Sequence, residues 1–301
     1  MTASGTISEP SSSRPDGPNA FTVDVEDYYA IMMRDRLGAQ IAPTEAVVRN
    51  TRRVLNLLAG HGVKATFFVL GEVAAAHPAL VRDIAAAGHE IGVHGFYHRQ
   101  FFKLTRQQLA AELGNAKKLL EDLAGQPAHG HRAPAFSVRP DTLWGLEVLV
   151  ELGFRYDSSI FPIRGRRYGW ADFGPDIRRF ELPNGSSIIE APMSTVRVLG
   201  RTLPACGGGY LRHFPYWFTR WAMRRIQRIR PAVVYMHPYE IDLEPGPAEF
   251  QAALSASPRS IRHLHRMQLR NRRTVFAKLH RLLDGFRFAP LGEIVATATR
   301  E

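Results

Sequence analysis

Three carboxylates fall within four positions in the segment Val23-Asp24-Val25-Glu26-Asp27-Tyr28-Tyr29. At the end of a buried strand such groups repel one another unless a cation or a proton offsets their charge. The same residues could instead cap the N-terminus of a helix. His94-Gly95-Phe96-Tyr97-His98 sets two imidazoles four positions apart. That spacing puts both rings on one face of a helical turn, where neutral nitrogens can grip a single metal ion. Arg132 lies in His131-Arg132-Ala133-Pro134-Ala135-Phe136-Ser137, and Pro134 stiffens that loop. A guanidinium held this way is suited to orient a carboxylate through a charge-assisted bond. Asp157 follows in Tyr156-Asp157-Ser158-Ser159, and His237 closes Val233-Val234-Tyr235-Met236-His237-Pro238. A single histidine after a strand is commonly structural, so His237 gains weight only in company.

The company comes from the elements around them. Ala20 to Val25 alternates and is rich in β-formers, which predicts a strand ending in the acids. Further strands are expected over Val63 to Val69, Glu90 to Val93, Ser187 to Glu190 and Ala232 to Met236. Helices are expected from Thr44, as N-cap, to Ala59, over Pro78 to Ala87, from Thr105 to Leu123 and over Asp141 to Leu152. Gly60, Gly62, Gly88 and Gly153 provide stop signals. Strands alternating with helices imply βα units and a mostly parallel sheet or barrel. All the candidate residues then sit at strand C-terminal ends, the edge where such folds build sites. Gly and Pro cluster over 160–175 and 200–209, which reads as two long surface loops.

The chain has 301 residues, 45% of them apolar and 22% charged, enough for one packed domain and unlike a disordered segment. A lone cysteine, Cys206, excludes an intrachain disulfide and a cysteine-built zinc site. Residues 1–19 form a polar leader without the basic and apolar regions of a secretory signal, so a cytoplasmic protein is expected. The positive charge is lopsided. Residues 1–200 carry 22 Lys and Arg against 21 Asp and Glu, whereas residues 201–301 carry 17 against 7. Residues 217–230 read as an amphipathic helix with Arg220, Arg224 and Arg228 on one stripe, and 260–283 as a second basic helix. These faces either are simply solvated or rest, with Trp217 and Trp221, on an anionic surface such as the inner membrane. Nucleic acid is not the expected partner, because neither helix carries a helix-turn-helix pattern or an aromatic stacking set. Nothing in the sequence signals an oligomeric state.

Taken in order, the acid cluster, HxxxH, RxPxFS, YDSS and the strand-end histidine resemble the NodB-type polysaccharide deacetylases, carbohydrate esterase family 4. KATFFVLGE (64–72) and GHEIGVHGFYH (88–98) extend the resemblance, which covers roughly residues 20–240. LPACGGGYLRHFP (203–215), YMHPYEID (235–242) and RNRRTVFAKLHRLLDGFRFAPL (270–291) are similar to the subgroup found with exopolysaccharide and exosortase gene clusters. The resemblance implies a distorted (β/α) barrel, with residues 241–301 as a basic helical C-terminal extension packed on the same domain. It also implies one divalent metal, zinc first and cobalt or manganese as alternatives, held by His94, His98 and an acid. Where the family reads TFDDG, this chain reads TVDVEDY, with Val25 at the expected ligand position. The acidic ligand is then Glu26, on the same side of the strand as Asp24, or Asp27, whose shorter side chain can swing back from a loop. By the same resemblance Asp24 is the general base, Arg132 orients it, His237 is the general acid, and Asp157 holds and charges His237. The implied substrate is an N-acetylated amino sugar in a polysaccharide or its lipid-linked precursor. An allantoinase-like cyclic amide hydrolase on the same fold and a non-catalytic glycan- or polyanion-binding protein are the alternatives.

Overall fold

The computed structural model describes residues 17–165 and 168–299, so most of the expected leader over 1–19 lies outside the described residues. Its centre is a curled sheet. In chain order the strands are β1 (Asn19–Val25), β2 (Thr66–Val69), β3 (Glu90–Val93), β4 (Gly130–His131), β5 (Tyr156–Asp157), β6 (Arg178–Glu181), β7 (Ser187–Glu190), β8 (Thr195–Val198), β9 (Arg201–Pro204), β10 (Val233–Met236) and β11 (Phe288–Ala289). The order across the sheet is β10-β1-β2-β3-β4-β5-β7-β6, parallel throughout except at β6, which runs antiparallel on the edge. Strands covered on both faces read as continuous apolar runs, as β2 and β10 do. Helices wrap the outside, including Glu45–Gly60, Pro78–Ala86, Arg106–Ala124 and Trp144–Glu151. Thr44 caps the first of these, and Thr105 with Gln108 makes a capping box on the third. This is the expected distorted (β/α) barrel.

The gap between β7 and β10 is closed by irregular chain. Ser194 Oγ accepts from Val233 N at 2.7 Å, and Tyr235 N donates to Cys206 O at 3.2 Å. Gly207 bridges to Tyr235 with φ 138°, and a Cβ there would lie 2.2 Å from Tyr235 O, so only glycine permits the approach. The two stretches expected as surface loops are therefore partly interior. Ile160, Phe161, Ala205 and Cys206 are buried, and Arg201–Pro204 pairs with Thr195–Val198 as a hairpin. The apolar residues among the glycines and prolines outweigh the turn signals.

The second basic helix is not one helix. It divides into Arg259–Gln268 and Val275–Gly285, separated by Asn271 at φ 63°, a left-handed conformation that asparagine tolerates well. The segment after residue 241 also does more than pack on the barrel. Strand β11 pairs with Asn19 and Ala20 of β1, and Leu291 N donates to Thr66 Oγ1 at 2.7 Å. The helix that follows, Leu291–Ala298, buries Leu291, Ile294 and Val295 against Phe68 and Tyr156 at the N-terminal mouth of the sheet.

Candidate metal and active site

Each element delivers its residue at the opposite, C-terminal mouth. Glu26 follows β1, His94 follows β3, Arg132 follows β4 and His237 follows β10. One ligand atom from each of Glu26, His94 and His98 lies within 4.8 Å of the others. His98 Nε2 is 2.9 Å and His94 Nε2 3.6 Å from Glu26 Oε2. His94 Nδ1 is 2.8 Å from the Arg132 carbonyl, which fixes the ring and leaves Nε2 facing the cluster. Gly95 at φ 85° and His98 at φ 56° turn the chain so that the second imidazole returns to the first. A left-handed histidine is strained, and such strain concentrates at functional sites.

The three residues fit a divalent cation. Glu26 Oε2 is buried without a hydrogen-bond partner among the described residues, and a carboxylate oxygen orphaned between two imidazoles needs a positive partner. Two imidazoles and one carboxylate suit a zinc-type catalytic site, which keeps a position open. Burial pushes the Glu26 carboxyl up, but His98, His237 and His94 outweigh it and hold the group well below its ordinary value. Glu26 is ionised and ready to ligate.

Asp27 is not part of this cluster. Its Oδ1 accepts from Ala30 N at 2.7 Å, capping the helix Tyr28–Arg36, and its Oδ2 accepts from Thr44 N and Thr44 Oγ1 at 2.9 and 2.6 Å. Of the two acids left open by the sequence, the structure turns Glu26 inward and uses Asp27 as a cap. The capping alternative for the acid cluster thus holds for one of its three members.

Asp24 stands beside the metal cluster and is almost completely buried. Arg132 Nη1 donates to Asp24 Oδ1 and to Thr22 Oγ1, both at 2.7 Å. Arg132 is held in turn by Ser158, through its carbonyl and its hydroxyl at 3.0 Å each, and its guanidinium lies 4.3 Å from the Phe68 ring centroid. Removing one partner from such a buried pair costs about 3–5 kcal/mol, since the other charge is left uncompensated. The remaining oxygen, Asp24 Oδ2, faces His237 Nε2 at 3.9 Å, and Glu26 Oε1 lies 3.8 Å from the same nitrogen.

Asp157 does not reach His237. Its Oδ1 accepts from Ser159 Oγ and pairs with His131 Nδ1, both at 2.7 Å, beneath the loop that carries Arg132. The carboxylate beside His237 is Glu240, with Oε2 3.5 Å from His237 Nδ1 and 3.0 Å from its backbone N. Pro238 turns the chain at once, so a residue three positions on folds back under the ring. The sequence signal was present in His237-Pro238-Tyr239-Glu240, the spacing of a capping box. Burial lowers the His237 pKa, but Glu26, Glu240 and Asp24 overcome it and raise the value to about 9. Tyr239 stacks on the same ring at 5.1 Å. Asp24, Glu26, His94, His98, His237 and Tyr239 line one cavity of about 440 Å³, with Tyr28, Tyr168, Tyr210 and Arg212 also on its walls; Arg132, Glu240, Asp157 and Asp27 are not on its lining.

Residues 41–156 match the family described as polysaccharide deacetylase, and residues 158–296 match a domain of unknown function, DUF3473. The segment 41–156 is thus similar to the polysaccharide deacetylases. It contains His94, His98 and Arg132, while Asp24 and Glu26 precede it and His237 lies in the second match. A peptidoglycan-N-acetylglucosamine deacetylase of Bacillus cereus is 35% identical over 98 residues, 32% of this chain and 36% of that one. A chitooligosaccharide deacetylase of Rhizobium leguminosarum is 28% identical over 147 residues, 49% of this chain and 60% of that one. The chain thus spans about a third of the B. cereus relative and less than two thirds of the rhizobial one. Among solved structures, a Mycobacterium smegmatis protein provisionally named a polysaccharide deacetylase aligns over 100% of this chain and 95% of its own. It has a TM-score of 0.60 and 22% identity, a likeness of fold. An allantoinase aligns over 92% and 88% with a TM-score of 0.57 and 15% identity, so the fold itself serves more than one reaction.

Proposed function

We propose that this protein is a metal-dependent hydrolase that removes N-acetyl groups from an amino sugar in a polysaccharide or its lipid-linked precursor, in exopolysaccharide biosynthesis. One observation carries the reading. Asp24, locked by Arg132, and His237, backed by Glu240, flank the Glu26, His94 and His98 cluster from two sides of one tyrosine-lined cavity. The family of segment 41–156 supports the same chemistry. Zinc is the first choice of metal, and when bound it supplies Lewis-acid polarisation of an acetyl carbonyl and makes water more acidic. Arg132 fixes Asp24 through one oxygen, so the other is free to take a proton from attacking water. His237 presents Nε2 to the same space and can return a proton to the departing sugar amine, while Glu240 holds the far side of the ring. Acetate release from N-acetylated oligosaccharides by the metal-loaded protein tests the reading. A protein that binds metal and releases no acetate from chitin, peptidoglycan or exopolysaccharide fragments overturns it.

The location proposed is the cytoplasmic face of the inner membrane. Trp217, Trp221 and Ile229 are exposed at the helix Tyr216–Gln227 and its end, beside Arg220, Arg224 and Arg228. Among the described residues no helix is long and apolar enough to cross a membrane, so contact would be peripheral. Each basic residue near an anionic leaflet contributes roughly 1 kcal/mol. Sedimentation with phosphatidylglycerol vesicles should therefore fall with salt and with joint replacement of Arg220, Arg224 and Arg228 by Glu. Equal binding to neutral vesicles would remove the proposal.

A further inference from the structure

Arg212 lines the same cavity as Asp24, Glu26 and His237, yet the steps above leave most of its guanidinium idle. The residue lies on the short helix Gly208–His213 and is only 7% exposed. Its Nε donates to Glu240 Oε1 at 2.8 Å, whereas Nη1 is buried with no hydrogen-bond partner among the described residues. A buried charged donor without an acceptor is costly, and native proteins rarely leave one so. Glu240 cannot supply the missing acceptor easily, since its other oxygen is committed to His237 N at 3.0 Å.

The surroundings favour an anion. His213 and Gln268 line the cavity beside Arg212. Burial, and then the charges of Arg212, Arg270 and Lys278, hold the His213 imidazole below its ordinary value, which marks a positive local field. Among the described residues Arg212 is the one Lys or Arg on the cavity's lining, and Gly209, Tyr210 and His213 beside it come from the basic part of the chain, whereas Asp24 and Glu26 stand at the histidine end. A guanidinium fork recognises carboxylate and phosphate oxygens better than it does neutral hydroxyls.

We propose that Arg212 receives an oxyanion of the substrate, a carboxylate or phosphodiester carried by the glycan beside its acetamido sugar. This rests on the deacetylase reading and narrows its substrate class. The rival role, holding Glu240 under His237, would affect every substrate alike, whereas an anion subsite discriminates between charged and neutral ones.

Binding measured by calorimetry on the metal-loaded Asp24→Asn protein separates the two roles without turnover. The probes are neutral chitotetraose, a hyaluronan tetrasaccharide for the carboxylate and UDP-N-acetylglucosamine for the phosphate. At least one anionic probe should bind about tenfold or more tightly than chitotetraose, the difference expected of one charge-assisted bond. Adding Arg212→Gln should collapse that ratio towards one, and Arg212→Lys should retain part of it if the Gln protein folds poorly. The preferred probe identifies the oxyanion. Equal affinity for neutral and anionic probes, or an equal loss for both in Arg212→Gln, overturns the proposal. Selective binding by a wild-type protein that releases no acetate would instead sink the deacetylase reading and leave the subsite standing.

Discussion

Glu26 and Glu90 stand at opposite mouths of one parallel sheet and meet opposite surroundings. Glu26, after β1, is ringed by His94, His98 and His237, and one of its oxygens has no hydrogen-bond partner among the described residues. Glu90, at the start of β3, is satisfied by neutral donors. Its Oε2 accepts from Thr66 Oγ1 at 2.5 Å and Gly292 N at 2.9 Å, and its Oε1 from Tyr156 Oη at 2.9 Å. For Glu26 the imidazoles overcome burial and lower the pKa, whereas for Glu90 burial prevails over its hydrogen bonds and raises it. A buried acid kept charged and incompletely satisfied is prepared for something outside the chain. An acid tied off by neutral donors holds the fold together. In βα folds these are the catalytic and the structural ends of the sheet.

The largest effects should come from the C-terminal mouth. Asp24→Asn should keep the metal and lose about 10²–10⁴ in deacetylation rate, the usual cost of a missing general base. His98→Ala should instead lose the metal with the fold retained. Elemental analysis beside acetate release checks both, and stoichiometric metal in His98→Ala would refute the ligand set.

A smaller effect separates Asp157, the acid expected beside His237, from Glu240, the acid that stands there. Glu240→Gln should lower kcat by about 10–100-fold, as loss of a residue that orients a catalytic group commonly does. Asp157→Asn should cost about 1–3 kcal/mol of stability by loosening a buried hydrogen-bonded cluster, with a lesser fall in kcat. If Asp157→Asn gave the larger kcat loss at unchanged stability, the acid acting on His237 would have to be reassigned.

The smallest effect lies at the N-terminal mouth. The raised pKa of Glu90 means that its stabilising contribution is complete below the unfolded carboxylate value and fades as pH climbs through the folded one. Glu90→Gln, neutral at every pH, should therefore match the wild type in acid and gain on it as pH rises. Melting temperatures across that range test this, and a widening deficit for Glu90→Gln towards alkaline pH would contradict it.

The sequence by itself determined the chemistry-bearing residue types, their strand-end positions and the regular elements nearby. Glu90–Val93 and the Thr105-capped helix are local and periodic, and local signals are enough to define them. Much of the site was equally legible, because Asp24, His94, His98, Arg132 and His237 all fall at or just beyond strand ends. Only the tertiary structure decided which acids serve it. Asp27 caps a helix and binds Thr44, seventeen residues away, so Glu26 is left to face the histidines. Asp157 lies under the Arg132 loop because β5 pairs with β4, while the turn at Pro238 brings Glu240 beneath His237. The same holds for the C-terminal segment, whose Phe288–Ala289 joins a strand some 270 residues earlier. Strand pairing and the direction of a chain leaving a sheet are set by packing between distant segments, and no window along the sequence contains both partners.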